Sequence, residues 1–153
     1  RQPEYPDPGA DHGRYTMRVS VRPGAGVREA VEEGYRINLP ERYAPAAAAR
    51  AIAAPLVSVD VPNVLVETVK LAEDRSGDLV VRLYESEGAR AVASVMLDEA
   101  LAGGEVAVVD LLERPFDEHA PAFRSAFERG EDGAVELSFR PFEIKTLRIS
   151  RQG

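Results

Sequence analysis

The sequence predicts an all-β fold, an antiparallel β-sandwich, because short strand-forming runs follow one another with turn residues between them. These runs are rich in Val, Leu and Ile and cover 56–61, 64–72, 79–85, 89–97, 105–111, 133–140 and 142–149. In the clearest run Val135, Leu137 and Phe139 alternate with polar residues, which predicts that these three side chains face the core. Strands spaced about 8–12 residues apart with turns between them are typical of sandwiches.

Two interruptions qualify this pattern. Pro141 stands between the last two runs, and because proline cannot donate to a ladder we expect it at an edge or a bulge. Residues 113–132 are polar and include Pro115 and Pro121, which predicts a long loop with one helical turn around 122–128.

The first 55 residues differ in character from the rest. Strict alternation over 14–22 places Tyr15, Met17, Val19 and Val21 on one face and predicts a half-buried strand. Val27, Ala30, Val31 and Tyr35 then follow helical spacing, which predicts a short amphipathic helix. Residues 1–13 indicate a connecting segment, and the Ala-rich, proline-interrupted residues 39–55 indicate a linker. The predicted division is therefore 1–55 and 56–153.

Composition excludes several classes of function. The formal charge of −7 argues against a nucleic-acid partner, which would require clustered positive charge. The absence of cysteine excludes disulfides, thiolate metal sites and cysteine nucleophiles, and we expect a cytoplasmic location. No apolar run approaches the roughly 18 residues of a membrane span, so no membrane partner is expected.

Asp110 is the acidic residue that the pattern singles out. It follows the apolar run 106–109, so it is either a strand-end acid bonded to a neighbouring loop backbone or a site carboxylate. The acidic pairs Glu32-Glu33 and Glu131-Asp132 lie in polar stretches typical of solvated surface.

The remaining candidate residues do not form a recognised site. His12 and His119 are far apart in loops without metal-ligand spacing, and Asp7 and Asp11 beside His12 are better suited to turns. The groups Gly24-Ala25-Gly26 and Gly103-Gly104 lack the context of a phosphate-binding loop and predict turns. Phe123 and Phe127, four residues apart, favour packing of a helical turn onto the core. We therefore assign no catalytic, cofactor-binding or metal-binding residue.

Several stretches, in order, resemble one family. They include the opening Arg1-Gln2-Pro3-Glu4-Tyr5-Pro6-Asp7-Pro8, the segment Ala10-Asp11-His12-Gly13, the pieces Ser58-Val59-Asp60 and Pro62-Asn63-Val64, and the runs 69–74, 81–85, 110–113 and 140–147. Together they resemble the C-terminal β-domain region of an α-mannosidase of glycoside hydrolase family 38.

The resemblance implies that the predicted strand and short helix belong to the end of a larger β-domain, and that 56–153 is a C-terminal accessory sandwich. Its implied partners are the catalytic barrel and the large β-domain of the same parent chain and, through the parent, a mannose-containing glycan. The parent would be a retaining enzyme with an Asp nucleophile and a divalent metal, usually zinc, both in the barrel. No position here matches those residues, so the chain itself is expected to be inactive and to bind no cofactor.

Two further expectations concern binding. The unpartnered strand 14–22 is expected either to fold back on the sandwich or to pair with a second copy of the chain, and self-association is favoured. The alternative function is an independent carbohydrate-binding module, which would require an exposed aromatic or acid-lined groove. An accessory scaffold would instead have its largest apolar patch where the barrel docks.

Overall fold

A computed structural model describes residues 13–41, 43, 45, 46, 54–116, 127–130 and 133–150. They belong to two compact units, Arg1–Glu41 and Arg42–Gly153. The two units are described separately. The predicted domain division between residues 55 and 56 stays a prediction, and most of the predicted linker 39–55 lies outside the described residues.

The first unit contains the predicted amphipathic helix as α1, Val27–Asn38. The backbone N–H of Gly26 donates to Glu29 Oε2 at 2.9 Å, so a side chain of the first turn caps the helix. The backbone N–H groups of Glu29 itself and of Gly26 lower the pKa of the Glu29 carboxyl group. No residue of α1 is buried.

The prediction of a half-buried strand over 14–22 is wrong. This segment forms no strand, and Tyr15, Met17, Val19 and Val21 are 73–87% exposed. Its polar side chains contact α1 instead: Arg18 Nη1 donates to the carbonyl of Ile37, and Ser20 Oγ donates to Glu33 Oε1. Alternation predicted which side chains share a face, but a strand also requires a hydrogen-bonded neighbour.

The second unit is the predicted antiparallel β-sandwich. Its strands are β1 Val57–Val59, β2 Val64–Leu71, β3 Leu79–Glu85, β4 Ala91–Leu97, β5 Val106–Val109, β6 Glu128–Arg129, β7 Val135–Phe139 and β8 Ile144–Ile149. One sheet has the order β1-β4-β7-β6 and the other β2-β3-β8-β5, with every pairing antiparallel.

The core lies between these two sheets. Val135, Leu137 and Phe139 are buried, which confirms the predicted inward face of β7. They belong to one cluster with Val81, Leu83, Ala93, Val95, Leu147 and Ile149, and Phe127 packs against it. The register places Ala93 opposite Leu137 in one sheet and Val81 opposite Leu147 in the other.

Three features of this unit differ from the sequence predictions. A short helix, α2, spans Glu99–Ala102 after the N-cap Asp98, whose Oδ1 accepts the N–H of Ala100 at 3.0 Å. The two-residue strand β6 lies within the predicted loop 113–132, whose residues 117–126 and 131–132 are outside the described part. Pro141 lies in a turn between strands of different sheets, and not at an edge or a bulge.

Candidate functional site

Glu85 ends β3 with its carboxylate buried at one end of the sandwich, 1% exposed. Oε1 accepts the side-chain amide of Asn63 at 3.1 Å and the N–H of Glu87 at 2.9 Å. Oε2 accepts the N–H of Gly88 at 2.8 Å and that of Phe142 at 3.0 Å. One carboxylate thus joins three loops, those around residues 63, 87 and 142.

These donors also fix the charge of Glu85. Burial alone would raise the pKa of this carboxyl group, but the N–H groups of Phe142, Glu87 and Ala89 and the Asn63 amide lower it to about 2. Glu85 is therefore ionised at neutral pH with its oxygens engaged by the fold, so it is unsuited to proton transfer.

Phe142 is held by this arrangement in an unusual backbone conformation. Its φ is 56°, in the left-handed region that bulky residues rarely adopt, and the residue as a whole is 70% exposed. The ring lies over Gly88: a Cβ on that glycine would be 2.7 Å from Phe142 Cζ, too close for any other residue without a shift. Glu85 Oε2 accepts the N–H groups of both Phe142 and Gly88, so one oxygen fixes both members of this contact.

A second carboxylate, Glu143, directly follows Phe142, in the turn between β7 and β8. Oε2 accepts the N–H of Arg140 at 2.7 Å, and Oε1 accepts its Nη2 at 3.0 Å. Burial opposes ionisation, but the bonds from Arg140 and the charge of Lys145 leave the pKa of Glu143 below its usual value. Lys145 Nζ is 3.7 Å from Glu143 Oε1 and 5.6 Å from the centroid of the Phe139 ring. Burial lowers the pKa of Lys145, against the effect of Glu143.

Glu113 is a third carboxylate, buried near the opposite end of the sheet that contains β3. Its Oε1 is 2.7 Å from Lys70 Nζ, and its Oε2 accepts the N–H of Glu73 at 2.7 Å. The Lys70 ammonium and the Glu73 N–H lower the pKa of Glu113. The backbone of Glu113 has a φ of 66°, in the left-handed region that residues other than glycine rarely adopt. The same residue forms the ion pair with Lys70 of β2.

Arg148 of β8 joins the turn between β2 and β3 at this same end. Its Nη2 is 2.7 Å from Asp74 Oδ2, and its Nε is 2.7 Å from Asp78 Oδ2. The N–H of Ser76 and the guanidinium of Arg148 lower the pKa of Asp74 to about 2. These ion pairs hold the turn between β2 and β3 to β8, a central strand of its sheet, and therefore stabilise the fold.

Asp110 is a strand-end acid bonded to a loop backbone, the first of the two interpretations given above. Its Oδ1 accepts the N–H groups of Leu112 at 2.8 Å and Arg114 at 2.9 Å, and its Oδ2 accepts Arg114 Nε at 3.0 Å. These bonds, led by the N–H of Arg114, lower the pKa of Asp110. Asp110 therefore closes the turn after β5.

The other sequence candidates are not brought together. Glu32 and Glu33 contact Arg22 and Ser20 in the first unit. The glycines at 24 and 103 lie in turns, as predicted. Asp7, Asp11, His12, His119, Phe123, Glu131 and Asp132 lie outside the described residues.

In the described part of the chain, no three His, Cys, Asp or Glu side chains gather in an arrangement for a metal ion. Neither helix in that part combines the length and apolarity needed to cross a bilayer.

Comparison with known families places part of the chain in a domain family. The model for the glycosyl hydrolases family 38 C-terminal beta sandwich domain matches residues 63–147, which run from the turn before β2 into β8. No curated protein matches the chain.

Proposed function

The chain belongs to the glycosyl hydrolase family 38 C-terminal β-sandwich domains, and we propose that it is the accessory sandwich of a retaining α-mannosidase. In this proposal the parent hydrolyses terminal α-mannosides in glycans. The chain supports its catalytic barrel and large β-domain and supplies no catalytic residue.

The observation that carries the proposal is the state of the carboxylates in the sandwich. Retaining glycosidases need two carboxyl groups about 5–5.5 Å apart, one to attack and one to transfer a proton. Glu85, Glu113 and Glu143 accept backbone N–H groups and have lowered pKa values, and Asp110 closes a turn in the same way. Carboxylates used in this manner favour a scaffold over a catalytic centre.

Zinc chemistry is assigned to the parent and not to this chain. The described residues do not fit a zinc site, since no three potential ligands converge there. The proposed enzyme would therefore bind its metal in the barrel, and no step of hydrolysis is derived from residues of this chain. We also propose a cytoplasmic parent, supported by the absence of cysteine.

The alternative, an independent carbohydrate-binding module, is favoured by one observation, the exposure of the aromatic residue Phe142. Tyr15 and Tyr43 are exposed as well, so exposure of an aromatic residue does not by itself define a sugar site, and the accessory role remains the main proposal.

Replacement of Leu137 by Ala in the longer enzyme tests the supporting role. Leu137 is fully buried, so the cavity should cost about 2–5 kcal/mol and lower the temperature at which α-mannosidase activity is lost. At low temperature kcat and KM should be unchanged. The control Ser138→Ala, on the exposed face of β7, should change neither these constants nor the temperature at which activity is lost. A longer polypeptide that contains this chain and does not hydrolyse α-mannosides would overturn the proposal.

A further inference from the structure

We draw no further inference here: the strongest candidate, the row of apolar side chains that Leu65, Tyr84 and Ile144 form across the outward face of β2, β3 and β8, carries no proposal because nothing in the described part of the chain shows what covers it.

Discussion

At the scale of single residues, buried carboxylates hold the loops of this sandwich together by accepting hydrogen bonds from them. Glu85 accepts four hydrogen bonds from three loops, and because its carboxylate is buried these donors stabilise its charge in place of water. Alternation along β3 places Glu85 on the same face as Val81 and Leu83, which is the sequence signal for an inward carboxylate. The pattern of residues 79–85 predicts a strand, and the inward position of Glu85 follows from the same alternation.

Replacement of Glu85 by Gln should destabilise the sandwich by roughly 3 kcal/mol at pH 7. The amide loses the charge and turns an N–H₂ group toward backbone donors, which leaves buried N–H groups unpaired. Glu136→Gln, on the exposed face of β7, is the matched control and should change stability by less than about 0.5 kcal/mol. Urea unfolding measures both.

The difference between the unchanged chain and Glu85→Gln should depend on pH. The pKa of Glu85 is lowered from 4.5 to about 2 by folding, so its contribution to stability is present above pH 4.5 and is lost as the pH falls towards 2. Thermal unfolding should give a constant gap in melting temperature above about pH 5 that narrows between pH 4.5 and 2. A gap that stays constant over this range would contradict the assigned pKa.

At the scale of elements, period-two patterns predicted strands well where both faces of the strand have defined neighbours. Val135, Leu137 and Phe139 were assigned to the core from alternation, and they lie there. The same pattern failed at 14–22, because alternation does not reveal whether a pairing strand is present. Pro141 was misplaced for a related reason, since the sequence does not reveal that β7 and β8 belong to different sheets.

Shorter elements escaped prediction for other reasons. The helix α2 has only four residues, although Asp98 before Glu99 is an N-cap signal. The strand β6 has two residues in a polar stretch and is formed by pairing with β7, a tertiary contact without a local signature. The left-handed conformation of Phe142 was not predicted either, because it accompanies a hydrogen bond to Glu85, 57 residues away.

Replacement of Phe139 by Ala tests the core assignment of β7. The side chain is 3% exposed, so the cavity should cost about 3–5 kcal/mol, with loss of the contact between Lys145 Nζ and the ring included. Ser138→Ala, the exposed neighbour on the same strand, should cost less than about 0.5 kcal/mol. A loss below about 0.5 kcal/mol for Phe139→Ala in urea unfolding would contradict the assigned face.

At the scale of the whole molecule, residues 14–22 present a row of exposed apolar side chains, Tyr15, Met17, Val19 and Val21. We expect self-association of the full chain through this row, by antiparallel pairing of two copies centred on Val19. That register places Met17 opposite Val21 and Arg18 opposite Ser20, whereas a register centred on Arg18 would place arginines opposite each other.

Light scattering of the full chain against a chain that begins at Leu56 measures the association. The full chain should have at least twice the monomer mass at high concentration, and the shorter chain should be monomeric. Because the chain contains no cysteine, Val19→Cys should form a disulfide-linked dimer on mild oxidation, whereas Tyr43→Cys should not. A monomeric full chain in which residues 14–22 exchange amide hydrogens as fast as a free peptide would contradict the expectation.

The central claim, that this chain is a non-catalytic accessory domain, is tested most directly by an activity assay. The purified chain is incubated with an aryl α-mannoside, with and without added Zn²⁺, beside the longer enzyme as a positive control. We predict release of the aryl group by the longer enzyme and none above background by the chain in either condition. Zinc-dependent turnover by the chain alone would contradict the claim.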